Sequence, residues 1–122
     1  MITCPTAGEL QSALTLFDRD AEGPADARRV FLARVADNAR ALLAREADLG
    51  AVAETEECAR LSDLLGVDGD FTELNHRLCQ ALRSGQQDPR APALLAHLRA
   101  TAIARIAIDQ PTYSGLEALL AD

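Results

Sequence analysis

Leu10, Ala13, Leu14 and Phe17 recur at the spacing of one helix face, and a similar period runs through most of the chain. Thr6 and Glu9 stand ahead of them at the spacing of a capping box, in which each side chain satisfies a backbone amide of the first turn. Ala21-Glu22-Gly23-Pro24 breaks this helix. A long second helix is predicted from about Asp26 to Leu49, closed by Gly50. Its Phe31, Val35, Leu42 and Leu49 follow a heptad-like seam suited to packing on an antiparallel neighbour.

A third helix, about Val52 to Leu65, carries Cys58, Leu61 and Leu65 on one face and stops at Gly66. Asp70 with Glu73 forms a second capping box. It starts a fourth helix with a buried stripe of Phe71, Leu74, Leu78 and Leu82, ending at Ser84 before Gly85. After the loop Gln86 to Arg90, Pro92 suits the first turn of a fifth helix. That helix runs to about Asp109 with Leu94, Leu95, Leu98, Ala102 and Ile106 inward. Pro111 ends it, and Tyr113 to Leu120 adds a short last turn. The expected fold is all-α: a single domain over residues 1–122, built as an antiparallel bundle of about five helices.

Composition agrees with helix. The chain is 48% hydrophobic but only 3% aromatic, so its core must be made of Leu, Ala, Val and Ile, with no strand-length aromatic or β-branched runs. With 122 residues it needs neither disulfide nor metal to bury a core. A formal net charge of −7 argues against nucleic-acid binding, which rests on neutralising phosphates. All 12 basic residues are arginine. The lack of lysine excludes Schiff-base, phosphate-loop and kinase-type lysine chemistry, but arginine grips carboxylates and phosphates well. The N-terminus has no secretory pattern and no apolar run reaches membrane-spanning length, so no membrane role is expected. Three cysteines without paired spacing fit reduced thiols in a cytoplasmic protein.

Several polar residues fall where apolar ones are expected. Turning the second helix by about 100° per residue puts Glu46 inside the arc of Phe31, Val35, Leu42 and Leu43. Asn38 lies near its edge, with Arg34 and Arg45 just beyond. Asn75 falls among Phe71, Leu74 and Leu78. Arg105 and Asp109 sit one turn apart on the Leu94/Leu98/Ala102 side. Buried charge needs a partner. Either these residues pair, Arg105 with Asp109 and Arg34 or Arg45 with Glu46 or Asn75, to fix helix register, or they line a pocket where arginines hold an anionic ligand. Their spacing leaves both arrangements open.

Catalytic and metal templates fit poorly. Glu73-Leu74-Asn75-His76 has the Glu-x-x-His spacing of di-iron bundles, but it occurs once and points away from the Leu74/Leu78 stripe. His76 and Cys79 supply half a zinc site with nothing to complete it, so Cys79 is expected in the core and no metal or cofactor is implied. His97 falls on the outward side of its helix. There is no Gly-x-Ser-x-Gly elbow and no glycine-rich phosphate loop. A Cys–His nucleophile pair stays open, without a flanking signature to support it.

Four segments carry a resemblance: Phe31 to Asn38 with Arg45-Glu46, Leu78 to Gly85, Leu95 to Thr101, and Ile106 to Tyr113. They resemble a bacterial domain family of small helical proteins to which no activity is assigned, and the resemblance covers nearly the whole chain, from Pro5 to Tyr113. Members are encoded beside, or fused to, aminoglycoside-phosphotransferase-like kinases and acyl-CoA dehydrogenases. The family's recurring polar positions correspond here to Arg34, Asn38, Arg45, Glu46, Arg83, Asp109 and Tyr113. Gln110 stands where members usually have asparagine. The resemblance implies a non-catalytic accessory domain whose partner is the kinase or the dehydrogenase, with no catalytic residues to carry over. The alternative is a small-molecule-binding protein or weak enzyme using Arg34, Arg45 and Arg105, with Glu46 or Asp109 as acid/base group. A homodimer is a third arrangement.

Overall fold

In the computed structural model, residues 4–20 and 26–121 are described. They form five α-helices and no strand: α1 (Ala7–Arg19), α2 (Ala27–Leu65), α3 (Phe71–Ser84), α4 (Pro92–Asp109) and α5 (Ser114–Ala121). The all-α expectation holds among the described residues. The Ala21-Glu22-Gly23-Pro24 break and residues 1–3 lie outside them. No described helix is long and apolar enough to cross a membrane.

The main departure is α2, a continuous helix of 39 residues where two helices were expected. Gly50 does not close it. The described glycines with positive φ are Gly66 and Gly85, at +68° and +75°, while Gly50 is helical. A glycine inside a helix costs only about 1 kcal/mol, and Ala51-Val52-Ala53 offers no capping side chain to start a new one. Asp26 does supply such a cap at the N-terminus, its carboxylate accepting the Arg29 amide at 2.8 Å.

Contacts sort the chain into two compact units, Met1–Gly50 and Ala51–Asp122. In the first, the capping box of α1 is complete: Glu9 N donates to Thr6 Oγ1 at 3.2 Å and Thr6 N to Glu9 Oε2 at 2.7 Å. Leu14 of α1 and Ala36 of α2 are buried. Arg40 reaches Asp18 at 2.5 Å and Asp37 at 2.9 Å. The covered face of α2 here is Leu32, Ala36, Ala39, Leu43, Glu46 and Gly50. The expected seam lies beside it: Phe31 is 64% exposed, Val35 and Leu49 are exposed too, and Leu42 is half-buried. Alanine and glycine add little to a hydrophobic pattern yet are among the residue types most often buried.

In the second unit Leu61 of α2, Leu74 and Leu78 of α3, and Leu94 of α4 form one core, with Cys58, Leu64, Leu65, Leu82 and Ala91 packed against it. Each such leucine contributes about 2 kcal/mol through removal from water. Gly66 and Gly85 end their helices in the left-handed conformation only glycine adopts cheaply, and Gly66 N donates to Ser62 O at 2.8 Å. Asp70 caps α3 by accepting Glu73 N at 2.8 Å. The reciprocal half of that box is not made, because Glu73 bonds Arg77 instead at 2.6 Å. Cys79, expected inside, is exposed. Pro92 opens α4, and Arg99 donates to the Leu119 carbonyl, tying α5 to α4.

Candidate functional site

On α4 the covered line differs from the expected one. Leu95 and Leu98 are exposed, whereas Leu94, His97 and Ile108 are buried. His97, Thr101 and Arg105 follow one another at four-residue steps, so they share a stripe between Leu94 and Ile108. Opposite them α2 presents Glu57 and Arg60, three residues apart, bracketed by buried Ala53 and Leu61.

Glu57 is 1% exposed and His97 4%. Arg105 Nη2 stands 3.9 Å from Glu57 Oε1, close enough for attraction but not for a hydrogen bond. Glu57 Oε2, Arg60 Nε, His97 Nδ1, Thr101 Oγ1 and Arg105 Nε are sealed from solvent without a hydrogen-bond partner. Burial pushes the His97 imidazole below its ordinary value; Glu57 opposes this and Arg60 adds to it. The ring is therefore neutral at pH 7, with one nitrogen to donate and one to accept. An open cleft of about 310 Å³ meets one end of this line, at Arg60 and His97, and is otherwise bordered by Asp63, Leu64, Ala93 and Ala96. A second cleft of about 360 Å³, past Val67, Arg77 and Gln86, is bordered by none of these unpartnered groups.

Of the residues singled out from sequence, Arg105 joins this site, through Glu57. Asn75 is partly buried but donates to Phe71 O of its own helix at 2.9 Å. Glu46 and Arg45 are half-buried, while Arg34 and Asn38 are exposed; all four belong to the first unit. The Glu46 carboxylate lies against Gly50, where an added methyl would meet it at 3.0 Å. Arg83, Asp109 and Tyr113 are exposed, with the Tyr113 ring close over Gly115. His97, expected at the surface, is buried: one residue step on a helix is about 100°, and the covered line passes Leu94 and His97 rather than Leu94 and Leu98.

Sequence reasoning missed Glu57, Arg60, His97 and Thr101. The signal for Glu57 was present, since the residues four before and four after it, Ala53 and Leu61, are both apolar and both buried.

Among the described residues no three His, Cys, Asp or Glu side chains gather into a metal site. Cys58, one residue from Glu57, has its thiol pushed up by burial and by Glu54, Glu57 and Asp70, which suppresses the nucleophilic thiolate. Glu73 and His76 are exposed.

A family model described as Domain of unknown function (DUF6285) matches residues 24–113. The chain belongs to this family. The family's span takes in the whole Glu57/Arg60/His97/Thr101/Arg105 stripe and leaves out α1 and α5. No curated protein and no solved structure matches the chain.

Proposed function

We propose that the 51–122 unit is a binding module for a small anion that also carries a hydroxyl or amine, held between α2 and α4. Arg60 and Arg105 meet the negative charge, His97 and Thr101 add neutral hydrogen bonds, and Glu57 Oε2 accepts from the ligand's own donor. The observation behind this is that Glu57 and His97, both nearly sealed, each keep a polar atom without a protein partner beside two arginines. Unpaired buried polar atoms are costly, and a ligand offering both charge and a donor satisfies them together. Binding without catalysis is the expected activity, in a bacterial cytoplasm.

Thermal shift with acyl-CoAs, nucleotides, phosphosugars and hydroxy acids tests it. A ligand at a hundred times its Kd adds about 2.7 kcal/mol of stability. The melting temperature should rise for the wild type and stay level for an Arg60→Ala/Arg105→Ala variant. A flat response across the panel removes the proposal.

A second reading makes the chain a non-catalytic accessory domain on a phosphotransferase-like kinase or acyl-CoA dehydrogenase. It is favoured by Leu95 and Leu98, two large apolar side chains adjacent on α4 and both open to solvent. Co-expression with the kinase should give a complex that Leu95→Asp/Leu98→Asp abolishes; absence of any complex counts against it.

A further inference from the structure

The exposed face of α2 in the first unit has a regular register. Phe31, Val35, Asn38, Leu42, Arg45 and Leu49 alternate four- and three-residue steps, the repeat that keeps one stripe facing a partner helix. This stripe is distinct from the covered one, which runs through Leu32, Ala36, Ala39, Leu43 and Glu46. Phe31, Val35, Asn38 and Leu49 are exposed and Leu42 and Arg45 half-buried, so the helix has a covered face and, about 100° round from it, an open coiled-coil seam.

We infer that this seam pairs with the same seam of a second copy of the chain, with the two α2 helices antiparallel.

The arrangement of charge selects the partner and the direction. Flanking the seam on one side are Arg34, Ala41 and Asp48, each one residue before a seam position and all exposed. In an antiparallel pair, flanking positions of this type meet one another across a two-fold axis. With Phe31 opposite Leu49 of the other copy, Ala41 meets Ala41 at the axis and Arg34 meets Asp48 at both ends. Sliding the helices by one heptad either way loses both ion pairs. A parallel pair would put Arg45 against Arg45 in the seam. Antiparallel pairing places Arg45 opposite Val35 and separates the two arginines by about 15 Å along the axis. Asn38 meets Leu42 beside the axis, a polar group within the seam that makes the contact weak. The seam spans about 27 Å of helix, a small interface, so association should depend strongly on concentration.

Sedimentation velocity across a concentration series tests this. Wild-type chain should pass from monomer to dimer, and the transition should move to higher concentration in high salt. Arg34→Asp alone or Asp48→Arg alone should weaken the dimer by about tenfold, because each turns two attractions into two repulsions. The double variant should restore it, and an equimolar mixture of the two single variants should form a mixed dimer in preference to either self-pair. All three keep an exposed position exposed, so circular dichroism should show unchanged helix content. A wild type that stays monomeric at millimolar concentration overturns the inference. A dimer insensitive to both single variants and to Val35→Glu would place the contact on another face and overturn it equally.

Discussion

Arg105 Nη2 stands 3.9 Å from Glu57 Oε1, while the second carboxylate oxygen of Glu57 is sealed from solvent with no hydrogen-bond partner. A carboxylate in that position is held mainly by the arginine's charge. Arg105→Met should therefore cost about 1–3 kcal/mol, below the roughly 3–5 kcal/mol of breaking a fully buried pair because the arginine is itself half-exposed. In a Glu57→Gln background the same change should cost under about 1 kcal/mol. Urea denaturation of the four proteins in this cycle measures the difference, and equal costs in both backgrounds would show that the two groups do not interact.

His97 ties the site to pH. Its folded-state value is depressed below the ordinary 6.5, so the unfolded chain binds a proton more readily than the folded one. The contribution of the neutral ring is present above the unfolded value and is lost as pH falls through it toward the folded one. Wild-type melting temperature should drop on going from pH 7.5 to pH 5 by more than that of a His97→Gln variant. Parallel curves for the two proteins would mean that His97 titrates normally.

Leucine truncation along α4 separates the covered line from its neighbour. Leu94 is 1% exposed and Leu98 46%. Leu94→Ala should cost about 2–5 kcal/mol through lost burial and a cavity, and Leu98→Ala less than about 1 kcal/mol. Comparable costs at the two positions would restore the face expected from sequence.

At Gly50 two effects oppose each other. Alanine in a helix interior is worth up to about 1 kcal/mol over glycine, but its methyl would stand 3.0 Å from the Glu46 carboxylate. Gly50→Ala should bring little or no gain in the wild type. After Glu46→Ala it should stabilise by about 1 kcal/mol. Thermal melts of the single and double variants decide it, and a full gain in the wild type would show that Glu46 moves aside at no cost.

What the sequence made legible was local chemistry. Thr6 with Glu9, Asp70, Gly66, Gly85 and Pro92 each act on backbone groups within a turn, so a start or stop could be read from a few letters. The azimuth of the long helices was not local. In α2 the stripe Phe31/Val35/Leu42/Leu49 is more hydrophobic than the stripe through Ala36, Ala39 and Gly50, yet the small residues are the covered ones. In α4 the covered line passes through His97 and Thr101 and leaves Leu95 and Leu98 open. A hydrophobicity pattern weights side-chain size, whereas close approach of helices selects for its absence. The same inversion hid Glu57 and His97, because buried polar groups contradict the pattern used to find the interior. Arg105 was found only because it sits at the edge shared by both stripes.

α5 has eight residues, too short to stay helical by its own hydrogen bonding. Its order is on loan from α4, through the guanidinium of Arg99 on the Leu119 carbonyl. Amide protons from Leu119 onward should exchange with deuterium well before those of Leu94 or Leu98, as a separately opening segment. Neutralising Arg99 should speed that exchange and leave the slowest amides of α4 unchanged, so one side chain sets how often the last helix comes away.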